Sequence, residues 1–85
     1  PEYVRLQGDI KCFIGEIELE RSSLTQARHY LESAVKIFKD IGSNYRLPNV
    51  YKLLGTLALK NNDNALAQEY YDKAFSNYSN SFKTS

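Results

Sequence analysis

Residues 51–71, YKLLGTLALKNNDNALAQEYY, decide the fold of this chain. The stretch has two apolar halves separated by residues 61–64, which favour turns and helix starts over helix interiors. Gly55 stands in the first half and Ala67 in the second. Because small side chains let two backbones approach closely, we expect two helices that cross at these positions. The stretch therefore predicts a helix, a tight turn and a second helix.

An earlier copy of this pattern lies 40 residues upstream. Gly15 matches Gly55, and Ala27 matches Ala67. The other matched pairs are Ile10 with Val50, Ile14 with Leu54, Ile17 with Leu57, Leu19 with Leu59, Tyr30 with Tyr70, Ala34 with Ala74, Val35 with Phe75 and Phe38 with Tyr78. Most of these positions are small or apolar, so the match indicates a repeated mode of packing.

Apolar periodicity and turn residues predict two helices in each copy. The predicted helices are Glu2–Glu20, Leu24–Ile41, a third from Ser43 or Asn44 to near Lys60, and Ala65 to about Phe82. Unit one is residues 2–41, unit two is residues 43–82, and residues 83–85 form a polar tail that we expect to be frayed. In the first helix, one buried stripe is expected from Val4, Leu6, Ile10, Phe13, Ile14, Ile17 and Leu19.

Several residues carry helix-end signals. Ser23 with Gln26 forms a candidate capping box, with Ser22 as the alternative cap, and Gly42 is a candidate helix C-cap. The fourth helix is expected to be capped by Asn62 or Asp63. Pro48 should fall in the first turn of the third helix; if that helix begins earlier, Pro48 should kink it.

Composition predicts one small globular domain without a nucleic-acid or membrane partner. The chain has 85 residues and a formal net charge of +1, and no apolar run approaches the length of a membrane helix. The single cysteine, Cys12, cannot form an internal disulfide, which favours a reducing, cytoplasmic location. The chain begins at Pro1 and contains no methionine, so we expect a piece of a longer protein.

The second copy resembles the tetratricopeptide repeat family, whose signature is W-x2-L-G-x2-Y…A-x3-F. Its matching residues are Tyr51, Leu54, Gly55, Ala67, Tyr71 and Ala74, whereas Ala58 and Ser79 replace the usual tyrosine and proline. In unit one, Lys11 replaces the leading aromatic, and Leu31 the second aromatic. The period is 40 residues, with extra residues around 41–47, and the phrase at residues 37–42, IFKDIG, resembles the longer variety found in signalling scaffolds and regulator sensor domains.

The resemblance implies an all-α fold of four antiparallel helices in two helix-turn-helix units, a fragment of a right-handed α-solenoid. It also implies binding of a protein or peptide on the concave face. By motif position, that face consists of Asp9, Cys12, Glu16, Leu19, Asn49, Lys52, Thr56 and Leu59. The carboxylate clamp of chaperone-tail receptors is not expected, because Glu16 would repel a terminal carboxylate.

Catalytic and metal-binding interpretations have less support than structural ones. His29 is the only histidine, so no second imidazole is available to share a metal, and Cys12 has no designated base. Glu16 and Glu20 share one face of the helix, while Glu18 points elsewhere, which is typical of a solvated acidic surface. We therefore expect no enzyme activity, no metal and no cofactor.

The last helix is rich in aromatic residues: Tyr70, Tyr71, Phe75, Tyr78 and Phe82. They form either an interaction surface or a core, the latter with Tyr71 and Phe75 packed inward. The favoured function is a protein–protein interaction module within a larger scaffold or regulator. The alternatives are a structural spacer or homo-oligomerisation segment that pairs through its terminal helices, and a peptide-sensing segment of a regulatory protein.

Overall fold

A computed structural model of the chain describes the backbone of residues 2–84 and the side chains of residues 2–77. Its elements are α1 (Glu2–Glu20), α2 (Leu24–Asp40), a 3-10 turn (Asn44–Arg46), α3 (Leu47–Lys60) and α4 (Asn64–Thr84). Residues 2–84 contain four α-helices and no strand, which confirms the predicted all-α class. Lys83 and Thr84, expected to be frayed, continue α4, and Ser85 lies outside the described residues.

The three helices α1, α2 and α3 end in the same way, at points spaced 20 residues apart. Ser22, Gly42 and Asn62 have φ values of 61°, 69° and 61°, in the left-handed region. After each of them, the next amide donates to a carbonyl five residues back: Ser23 to Glu18 (2.9 Å), Ser43 to Phe38 (2.8 Å) and Asp63 to Ala58 (2.8 Å). This is the Schellman motif, which satisfies the last carbonyls of a helix and reverses the chain.

The helix starts differ from the predictions at α2 and α3, whereas the cap of α4 is one of the two predicted residues. Ser23 is the N-cap of α2, but its side chain makes no capping hydrogen bond, so the predicted capping box does not form. Asp63, rather than Asn62, caps α4, because its Oδ1 accepts a hydrogen bond from the Leu66 amide at 3.1 Å. Pro48 lies in the first turn of α3, where it needs no amide hydrogen, and the 3-10 turn replaces the longer, kinked helix.

Small residues set the distance between the helices of each pair, α1 with α2 and α3 with α4. A Cβ atom on Gly15 would lie 2.7 Å from Leu31 Cδ2, and one on Gly55 would lie 2.8 Å from Tyr71 Cε1. Leu31 and Tyr71 are themselves 40 residues apart, so the two units repeat this contact. Both helix pairs are therefore close-packed at the glycine that the sequence pattern singled out.

The predicted buried stripe of α1 is wrong for most of its large side chains and right for Leu19. Leu6, Ile10 and Phe13 are 54%, 50% and 64% exposed, and the buried residues of α1 are Gly8, Cys12, Gly15 and Leu19. The physical reason is the close approach of α2, which leaves room only for small side chains along most of the inner side of α1. The large apolar side chains consequently lie on the opposite side.

The aromatic residues of α4 have separate roles. Tyr70 stacks on Tyr51 of α3 at a centroid distance of 6.2 Å, and Tyr71 packs over Gly55. Phe75 is 72% exposed, so the alternative in which it packs inward is wrong. The side chains of Tyr78 and Phe82 lie outside the described residues.

Candidate functional site

An open groove of ≈ 570 Å³ separates α1 from the 3-10 turn and the first turns of α3. We call it the central groove. Its lining residues are Asp9, Cys12, Phe13 and Glu16 of α1, Phe38 of α2, Tyr45 and Arg46 of the 3-10 turn, and Asn49 and Val50 of α3. Three helices and the 3-10 turn thus contribute to one concave surface.

The floor of the central groove holds a neutral thiol. Cys12 is 8% exposed, and Asn49 Nδ2 donates to its Sγ at 3.8 Å. Burial, together with the carboxylates of Glu16 and Asp9, raises the pKa of the Cys12 thiol from 9.0 to about 11. A thiol with a raised pKa is protonated at neutral pH, which is the opposite of the condition of a reactive cysteine.

The charges of the groove are only partly paired. Arg46 Nη1 lies 3.2 Å from Asp9 Oδ1, and both side chains are about one-third exposed, at 36% and 32%. The buried Nε of Arg46 has no hydrogen-bond partner among the described residues. Glu16 is exposed and takes part in none of the ion pairs formed within residues 2–77. The groove therefore offers one carboxylate that its own side chains leave available.

Two solvent-exposed aromatic rings flank the groove. Phe13 is 64% exposed and Tyr45 is 58% exposed. Arg46 lies over the Tyr45 ring at 5.2 Å, and Arg5 donates a hydrogen bond to the Tyr45 hydroxyl at 3.1 Å. Side-chain hydrogen bonding with Arg46 first, and then with Arg5, lowers the pKa of Tyr45.

Four of the eight residues predicted for the concave face meet in the central groove: Asp9, Cys12, Glu16 and Asn49. The other four lie elsewhere. Leu19 is 4% exposed and belongs to the core, so its assignment to a binding surface is corrected. Thr56 is half-buried and forms a hydrogen bond with the Tyr71 hydroxyl at 3.2 Å. Leu59 is 46% exposed and does not line the groove.

The remaining predicted residue, Lys52, lines a second cavity of ≈ 320 Å³ between α3 and α4. We call it the end pocket. Its lining residues are Pro48, Lys52, Tyr71, Ala74 and Phe75. Apart from the amino group of Lys52 and the Tyr71 hydroxyl, the side chains that form it are apolar.

The predicted concave face lacks five residues of the central groove: the buried Phe38 and Val50, and Phe13, Tyr45 and Arg46. Phe13 falls in the apolar stripe of α1, and this pattern predicts a core position for it. Tyr45 and Arg46 belong to the extra residues that lengthen the repeat to 40. The unusual length of this connection was the available signal, since long connections often carry function.

Within the described residues, no group of three or more histidine, cysteine, aspartate or glutamate side chains could hold a metal ion. His29 is exposed on α2, with its ring 5.6 Å from that of Tyr30. None of the helices described for this chain is long and apolar enough to cross a membrane.

Comparisons with known proteins find no relative. No protein-family model, no curated protein and no solved structure matches the chain. What the chain does must therefore be inferred from its own residues and geometry.

Proposed function

We propose that this chain is a pair of tetratricopeptide-like units, a right-handed α-solenoid fragment of the long-repeat variety, that binds a protein or peptide in the central groove. Two observations support the family. The Schellman turns recur every 20 residues, and the contact of Gly15 with Leu31 recurs 40 residues later between Gly55 and Tyr71. Both observations concern backbone turns and packing, so they support the family in addition to the sequence signature.

The exposed rings of Phe13 and Tyr45 on either side of the open groove carry the proposal of a binding function. Aromatic side chains next to polar groups are the residues that most often dominate the affinity of protein interfaces. Asn49 supplies an exposed amide, which can both donate to and accept from a peptide backbone. The arrangement fits a short extended segment with an apolar or aromatic side chain between the two rings.

The charge of the groove favours a basic side chain in that segment. The Asp9 carboxylate is already paired with Arg46, whereas Glu16 is available at the groove. A lysine or arginine of the partner can therefore pair with Glu16. The free thiol of Cys12 suits a reducing compartment, and we propose the cytoplasm.

A positional-scanning library of nine-residue peptides, read by fluorescence polarisation, tests this function. Sub-libraries with lysine or arginine fixed at one position should bind the native chain best. Glu16→Lys should weaken that binding by about tenfold or more, which corresponds to ~1.4 kcal/mol. Tyr45→Ser should remove the preference for a neighbouring aromatic residue.

Glu20→Lys is the matched control, because Glu20 is an exposed carboxylate one helical turn further along α1 and does not line the groove. It should leave the peptide preference unchanged. If no sub-library binds the native chain, or if Glu16→Lys keeps the native preference, the proposed groove function is wrong.

A further inference from the structure

The outer side of α1 carries a continuous row of large apolar side chains. We call this row the outer ridge: Tyr3, Leu6, Ile10, Phe13 and Ile17. Their exposed fractions range from 39% to 71%. The spacing of three and four residues places them on one side of the helix, over a length of about 21 Å. A row of exposed apolar side chains of this length is typical of an interaction surface.

The internal repeat shows how α3 covers the same side. Ile10, Phe13 and Ile17 correspond to Val50, Leu53 and Leu57, which are 40 residues later. Val50 is 1% and Leu57 is 5% exposed, and Leu53 packs against the same core cluster. That burial arises because α3 packs on unit one, mainly on α2. The outer ridge thus occupies the positions of α1 that correspond to the buried positions of α3.

The end pocket is the surface of unit two that corresponds to the surface of unit one on which α3 packs. Its residues Tyr71, Ala74 and Phe75 correspond to Leu31, Ala34 and Val35 of unit one. Leu31 and Ala34 are completely buried, and Val35 packs with them in the cluster that includes Val50 and Leu54 of α3. In unit two, Phe75 at the corresponding surface is 72% exposed, whereas Ala74 at the end pocket is 5% exposed.

We propose that copies of this chain associate head to tail, with the outer ridge of one copy in the end pocket of the next. This contact would repeat, between copies, the way in which α3 packs on unit one. Phe13 belongs to both the outer ridge and the central groove, but the association is argued from the internal repeat and does not depend on the proposed function of the groove. Because the two surfaces are different and lie at opposite ends, each added copy leaves one of each free, so the association forms rings or short filaments.

Charge complementarity supports a second copy as the occupant. Inside the molecule, Asn49 of α3 contacts Cys12 at 3.8 Å. In the internal repeat, Asn49 corresponds to Asp9, and Lys52 corresponds to Cys12. Between two copies, the same contact therefore brings the Asp9 carboxylate of one copy, which also pairs with Arg46 of its own chain, to the Lys52 ammonium group of the other. The apolar ridge and pocket thus meet with opposite charges in register.

Sedimentation velocity from about 10 µM to about 1 mM tests the association, since weak homotypic contacts fall in this range. The native chain should sediment as more than one 9.8 kDa protomer as concentration rises. Ile10→Glu removes only the ridge and Phe75→Glu removes only the pocket, so each variant alone should be monomeric. An equimolar mixture should form a one-to-one dimer, because one variant keeps the pocket and the other keeps the ridge.

Two variants serve as matched controls. Thr25→Glu and Ser76→Glu add the same charge at exposed positions of α2 and α4 that belong to neither surface, and both should associate like the native chain. Lys52→Glu should weaken the association at least about tenfold, whereas Lys60→Glu on the same helix should not. Circular dichroism verifies that every variant keeps its helix content.

A native chain that stays monomeric throughout the range overturns the proposal. So does Phe75→Glu self-associating while Ile10→Glu does not, which would indicate a symmetric contact between two α1 helices. A mixture of the two variants that remains monomeric, while the native chain associates, would also refute the head-to-tail arrangement.

Discussion

Cys12 shows how the environment of one residue decides its chemistry. The thiol lies at the floor of the central groove with a pKa raised to about 11 by burial and by two carboxylates. In the unfolded chain the same thiol titrates near 9.0. Between these values the unfolded state loses its proton first, so the unfolded state gains stability as pH rises.

We therefore expect the free energy of unfolding to be insensitive to Cys12 below pH 9 and to fall between pH 9 and pH 11. Cys12→Ala should remove this part of the pH dependence. Urea unfolding of both proteins across the range measures it. The two proteins differ only at residue 12, so the difference between the two curves isolates Cys12, and curves that stay parallel would contradict the assignment.

Gly8 is a second residue whose role emerges only from its neighbours. A Cβ atom there would lie 2.6 Å from Cε1 of Phe38, a ring that is 1% exposed. Alanine normally stabilises a helix by about 1 kcal/mol relative to glycine. Here we expect Gly8→Ala to destabilise the chain, because overpacking costs about 1–3 kcal/mol.

Phe38→Leu should partly rescue Gly8→Ala, and a double-mutant cycle from urea unfolding should show coupling between the two substitutions. A stability gain from Gly8→Ala alone would mean that α1 and α2 lie further apart at this point than the contact with Phe38 requires.

At the scale of the helices, the two units use the same turn but different caps. Asp63 accepts a hydrogen bond from the Leu66 amide, whereas Ser23, 40 residues earlier, makes no such bond. Asp63→Ala should therefore cost about 1 kcal/mol of unfolding free energy. Ser23→Ala, the matched substitution in unit one, should cost less than about 0.5 kcal/mol. Equal losses in urea unfolding would show that the Ser23 side chain also stabilises its helix.

The first helix shows what an apolar pattern predicts and what it leaves open. Periodicity identified residues 2–20 as a helix with one apolar side, and the helix has these bounds. It did not identify the side that faces the core of the molecule. Gly8, Cys12 and Gly15 face inward, and the larger apolar residues face out, because α2 approaches too closely for them. Burial of apolar surface is favourable whether the neighbour belongs to the same chain or to another.

The whole molecule is held together where α3 packs on unit one. Val50 is 1% exposed at this junction, while its repeat counterpart Ile10 is 50% exposed. Val50→Ala should lower the free energy of unfolding by about 2 kcal/mol, whereas Ile10→Ala should change it by no more than about 0.5 kcal/mol. Thermal and urea unfolding at a concentration where the chain is monomeric measure both. Similar losses would mean that Ile10 is buried in solution.

The central groove could be predicted only in part. The helical positions Asp9, Cys12, Glu16 and Asn49 followed from the repeat register and do meet in the groove. Their neighbours Tyr45 and Arg46 follow a left-handed turn at Gly42 and lie in the 3-10 turn. No periodicity governs such a segment, so the direction of its side chains could not be derived from the sequence.

The sequence by itself determined the four helices, the turns between them and the small residues at Gly15 and Gly55. These features depend on local periodicity, on turn chemistry and on a register that repeats along the chain. Only the tertiary structure decided which side of α1 is buried and that the 3-10 turn contributes to the groove. Those outcomes depend on which surfaces the fold brings within contact distance, and contacts between residues distant in the chain leave no local signature.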